Sequence, residues 1–154
     1  MPYYFGTGTQ QNTNAAANTD TFLLNLHAVT GSRAAIQKLI TGTQVTPADN
    51  SIRLQLRRTT VLATAGGAIV PAQMFPDGPA ATAVPTTLPT AGTLAAVPVM
   101  QLAYNQRGTA MWAAFNPDEA IALAGATAPN SEVIVVSQST GTSVPVSLTL
   151  VHSE

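Results

Sequence analysis

A chain of 154 residues is long enough for one domain with a real core and too short for two well-built ones. It is 45% hydrophobic yet only 8% charged, where an average soluble domain carries roughly 25% charged residues. Six basic and seven acidic residues, scattered to a net charge of −1, leave no footprint for nucleic acid, and the lack of cysteine excludes disulfides and thiolate chemistry.

The exterior must therefore be built from neutral, short side chains, and the chain holds 22 Thr and 26 Ala. Lys38 is the only lysine, and Glu119, Glu132 and Glu154 are the only glutamates. Lysine and glutamate are depleted from the middle of protein interfaces because their charges and mobile side chains are costly to desolvate and immobilise. Such a surface suits contact with other protein, although a compositional habit of the source genome would leave the same trace. No apolar run approaches the ~20 residues that span a bilayer. The start lacks a basic segment followed by an apolar stretch, so the sequence reads as soluble, with no membrane partner and no signal peptide.

Residues 1–20 carry one aromatic trio, Tyr3, Tyr4 and Phe5, followed by Gly, Thr, Gln, Asn and Ala with no apolar period. This segment reads as an extended N-terminal arm outside the core. Its three aromatics are candidate partner-binding residues, hooking onto a neighbouring subunit, and an unstructured tail with an incidental aromatic start fits equally well. Residues 22–29 then read as a strand stopped by Thr30, Gly31 and Ser32. Segment 34–40 is ambiguous: Ile36, Leu39 and Ile40 fit a helix face, but its length and its Thr-Gly-Thr stop fit a strand, which the neighbouring strands favour.

The clearest alternation is at residues 52–57, which places Ile52, Leu54 and Leu56 on one buried face. Residues 61–65 end at Gly66 and Gly67, and a proline-dense stretch follows, with Pro71, Pro76, Pro79, Pro85, Pro89 and Pro98. No regular element can run through it unbroken. It reads as an ordered loop lying across the fold, because a free linker would not carry Met74, Phe75, Val84 and Leu88. Short apolar runs at 99–104, 110–115, 120–123, 133–137 and 144–151 are separated by clusters of turn residues. In the last of them Pro145, lacking an N–H, predicts a position at a sheet edge or just outside the ladder. Roughly seven to nine short strands with turns between them predict a single all-β domain over residues 21–154, a β-sandwich or jelly-roll-like fold.

Candidates for chemistry are few. His27 and His152 are far apart in sequence and read as structural. Asp118 and Glu119 are adjacent and would point to opposite faces if extended, so they read as turn residues after Asn116 and Pro117. No nucleophile elbow, phosphate loop, HExxH sequence or EF-hand pattern occurs. The expectation is a chain that is not an enzyme, with no catalytic, cofactor-binding or metal residue. Trp112, the only tryptophan, reads first as a core or interface anchor and joins the candidate partner-binding residues. Exposed beside Tyr104 and Phe115, it would instead suit a carbohydrate-binding or host-recognition module.

A sequence of motifs spans residues 23–154: Leu26-His27-Ala28-Val29-Thr30-Gly31-Ser32, the arginine-rich strand with Arg53, Arg57 and Arg58, and Thr64-Ala65-Gly66-Gly67-Ala68-Ile69-Val70-Pro71. Asp77-Gly78-Pro79-Ala80-Ala81-Thr82-Ala83, Trp112, Asn116-Pro117-Asp118-Glu119-Ala120-Ile121 and a last strand ending in Glu154 complete it. In this order the motifs resemble small proteins encoded among the structural genes of tailed phages and prophages. The resemblance implies a virion component on the capsid surface, similar to decoration or cement proteins that sit as trimers outside the shell and clamp the major capsid protein. It supplies no binding residues.

Overall fold

The computed structural model describes residues 2–154 except 44, 45, 47, 88, 90, 91 and 126; of residues 7–11 and 84 it describes the backbone alone. Thirteen strands follow in chain order: β1 (Tyr3–Asn12), β2 (Thr21–His27), β3 (Arg33–Gly42), β4 (Ser51–Val61), β5 (Gly67–Ala68), β6 (Ala72–Gln73) and β7 (Val84–Thr87). After these come β8 (Thr93–Leu94), β9 (Met100–Asn105), β10 (Ala110–Ala113), β11 (Ile121–Ala124), β12 (Glu132–Ser139) and β13 (Pro145–Ser153). Between β10 and β11 lies a 3-10 turn, Pro117–Glu119.

The strands form two antiparallel sheets. Sheet A runs β10-β3-β13-β1-β6, with β11 pairing β3 beyond β10. Sheet B runs β5-β7-β2-β12-β4-β8, with β9 also pairing β4. Stripped of the two-residue strands and β7, the orders are β10/β11-β3-β13-β1 over β2-β12-β4-β9. Successive long strands thus change sheets except from β4 to β9, which pair directly, and from β10 to β11, which share one edge of β3; this is the winding of a jelly roll. The all-β sandwich expected from the sequence is the fold.

Alternation accounts for most of it. In β4, Ile52, Leu54 and Leu56 are buried while Arg53, Gln55 and Arg57 are half-buried on the other face. In β13, Val146, Leu148 and Leu150 face the core. The ambiguous segment is β3, and its helix-like spacing has a local cause. The β3–β13 register slips between Val151 and His152, leaving Gln37 as an extra residue, so Ile36 and Leu39 both face inward although three positions apart. Pro145 opens β13 opposite Asn12, and the ladder to β3 begins only at Ser147, so the missing N–H costs that ladder nothing.

The expected N-terminal arm is where the structure departs most from the sequence reading. Residues Tyr3–Asn12 are a strand inside sheet A, paired along β13 on one side and with β6 on the other. Tyr4 is buried, stacked on His152 with ring centroids 5.4 Å apart, and its hydroxyl donates to the Pro79 carbonyl at 2.6 Å. The inward positions after Tyr4 are Gly6 and Gly8, opposite Leu150 and Leu148. Glycine carries no apolar signal, so the alternation is silent in the sequence. At Gly6 space also favours glycine, because a Cβ there would lie 3.2 Å from the Pro85 ring of β7, tighter than ordinary contact.

The proline-dense stretch belongs to an insertion, residues 62–99, that serves both sheets. β6 extends sheet A beyond β1, whereas β5 and β7 extend sheet B beyond β2 and β8 adds to its far side along β4. Pro89 between β7 and β8 is buried. Leu88 and the Val84 side chain lie outside the described residues, and Met74 and Phe75, expected to hold the loop down, are exposed.

Candidate partner-binding face

The outward side of sheet A is built from a row of side chains in direct register. Phe5 of β1 stands opposite Val151 of β13, Val151 opposite Lys38 of β3, and Lys38 opposite Ala113 of β10. Residues one step off this row face the core, and those two steps off face outward again. Tyr3 therefore joins Phe5 outside, while Met74, just past β6, closes the end. Together with Gln37 and Ala114 these residues line an open hollow of about 400 Å³. The volume is within the range of small-ligand and side-chain pockets.

Chemically the hollow is apolar with one cation. Lys38 is half-buried, and among the described residues its ammonium has neither a hydrogen bond nor an ion pair. Tyr3 is 37% exposed, Met74 52% and, farther along the face, Met111 59%. These apolar side chains stand on one face of one sheet, next to a single cation.

Beside the hollow the chain leaves β10 through Ala114 and turns sharply. The Asn116 side chain accepts from the Asp118 and Glu119 amides at 3.0 and 3.2 Å, with Pro117 at the first position of the turn. Glu119 reaches back to accept from the Phe115 amide at 3.0 Å and from Asn116 Nδ2 at 2.8 Å. This reciprocal cap fixes the turn, at whose start the Phe115 side chain is 93% exposed.

The four residues singled out from the sequence thus divide. Tyr3 and Phe5 line the hollow. Tyr4 is a core residue, and its exposure as a hook is corrected by its inward position in β1. Trp112 pairs with the buried Leu39 and packs against the core, so its neighbours Met111 and Ala113 face out instead. Lys38, Val151, Met74 and Ala114 were missed, because only the strand register brings them together. The composition did hold one clue, since Lys38 is the sole lysine.

Polar groups cluster elsewhere and serve the fold. Glu154 accepts from the Thr82 amide at 2.7 Å, the Thr82 hydroxyl at 2.5 Å and the Ala83 amide at 2.8 Å, and lies 3.2 Å from His152 Nε2. The clip ties the insertion to β13. Burial pushes the His152 pKa below the ordinary histidine value, against the pull of Glu154. Burial also pushes the Glu154 carboxyl upward, but the Thr82 and Ala83 donors and His152 outweigh it and the net shift is downward. Among the described residues no three His, Asp or Glu side chains come together as a metal site, and no helix is long and apolar enough to cross a membrane.

No protein-family model matches this chain, and no curated protein sequence matches it.

Proposed function

We propose that this chain is a structural virion protein, a decoration or cement protein that binds the outside of a tailed-phage capsid and stabilises the shell. In this reading its partners are the major capsid protein and further copies of itself, with a trimer favoured, and its work is burial, not chemistry. The observation that carries the proposal is the outward face of sheet A, where Tyr3, Phe5 and Met74 line a hollow with a single lysine and Met111 stands exposed farther along. Apolar side chains left on an ordered sheet favour association, and aromatic and methionine side chains are enriched at interfaces. The jelly roll is common among capsid proteins, and equally among lectins and cupins, so the fold permits the reading without selecting it. The motif order that resembles phage structural proteins supports it.

The carbohydrate-binding alternative depended on an exposed Trp112, and that side chain packs against the core. The test is to locate the chain in purified particles by cryo-electron microscopy. Density for the sandwich on the shell, sheet A toward the capsid subunits or toward its own copies, is the expected result. Mature particles without the chain would overturn the proposal.

A further inference from the structure

Phe115 is more exposed than any other large apolar side chain described, at 93%. Its backbone amide is held by Glu119 within the Asn116–Glu119 cap, so the chain that presents the ring is ordered before any partner arrives. Three positions on, the exposed Asp118 carboxylate has no hydrogen-bond or ion-pair partner among the described residues. Across the rim, the hollow offers the complement: apolar walls of Tyr3, Phe5, Met74 and Val151, and an unpaired Lys38. The geometry points to a second copy of this chain as the occupant of the hollow, with Phe115 of one copy entering it and Asp118 meeting Lys38.

Two features select a copy of the chain over an unrelated apolar partner. The chain has only six basic and seven acidic residues, yet an unpaired charge of opposite sign accompanies the knob and the hollow alike. The backbone of the knob is fixed by the cap, and its aromatic ring lacks any cover of its own. Knob and hollow differ, so the contact either exchanges reciprocally between two copies or runs from copy to copy around a closed ring. It goes beyond the decoration reading and holds with or without a shell.

The test is the mass of the purified full chain by sedimentation velocity across micromolar concentrations. The wild type is expected to assemble as two or three copies. Phe115→Ala should raise the dissociation constant about thirty-fold, the loss typical of a central aromatic anchor. Lys38→Asp and Asp118→Lys should each weaken assembly, and the two together should restore it by exchanging the charges. Asp118→Lys and Phe115→Ala alter exposed side chains of a loop, and circular dichroism and melting curves report whether each variant is folded. A wild type that stays monomeric, an assembly untouched by Phe115→Ala, or a double exchange no stronger than its single variants would overturn the contact. A monomer that still decorates particles would overturn this inference and the favoured trimer while leaving the binding to a capsid standing.

Discussion

On the outside of sheet B, Ile134 and Val136 are as buried as core residues, whereas on the outside of sheet A Met74 and Met111 stand half in water. Both are outer faces of the same sandwich. The difference lies in what the chain does with its insertion. Residues 62–99 reach both edges of sheet B, and Arg57 of β4 donates to the Ala95 carbonyl at 2.5 and 3.0 Å while pairing with Asp20 at 3.2 Å. Beside it Glu132, buried on β12, accepts from Asn25 Nδ2 at 2.6 Å, the Thr59 hydroxyl at 2.9 Å and the Ala63 amide at 3.0 Å. One face is thus sealed by the chain's own arginine and insertion, and the other keeps its apolar side chains and its lysine free. The contrast teaches where a partner is to be sought: a chain that closes one face with this much polar bonding leaves the other open for use.

The sharpest way to break the contrast is at its sealed side. Glu132→Ala strands three donors in a buried site, each costing about 1–3 kcal/mol, and a total near 4 kcal/mol should lower the Tm by roughly 8–16 °C. A melting point within a few degrees of the wild type would mean that water already reaches this face. Ile134→Ala should cost about 2–5 kcal/mol as a core truncation does, while Met74→Ala on the open face stays within about 0.5 kcal/mol. Equal losses measured by chemical denaturation would erase the distinction between the faces.

A smaller effect is expected from acid at the clip between the insertion and β13. His152 and Glu154 both have folded pKa values below their ordinary ones, so the unfolded chain binds protons more tightly at each. Their contribution is complete above the ordinary histidine value of 6.5 and is lost as pH falls, first through His152 and then, below 4.5, through Glu154. Melting curves between pH 7.5 and pH 5 should show the decline, and His152→Gln should flatten it. An unchanged slope in that variant would remove His152 from the account.

The sandwich was legible because β4 and β13 alternate plainly, and even the ambiguous β3 announced a bulge through its three-residue spacing. β1 was not legible, since Gly6 and Gly8 occupy inward positions where an apolar residue would have signalled a strand. The hollow was only half legible. Tyr3 and Phe5 drew notice as aromatics, but Lys38, Val151 and Ala113 meet them through pairings between strands more than 30 residues apart in sequence, which no local pattern encodes. Phe115 drew notice only as a companion of Trp112 in a sugar platform, because burial is the commoner fate of a phenylalanine; it stands instead in water at the edge of the turn capped by Asn116 and Glu119.

The positions of β12 and β13 also govern how the molecule comes into being. β12 is the middle strand of one layer, between β2 and β4, and β13 is flanked by β3 and β1 in the other, although both come late in the chain. Until they emerge from the ribosome, each layer is a pair of separated pieces with bare edges, so neither layer can be completed before residues beyond 130 are made. A polypeptide cut short before that point would hold 14 of the 23 buried apolar side chains described and neither of the strands that join the pieces, and would be prone to aggregate.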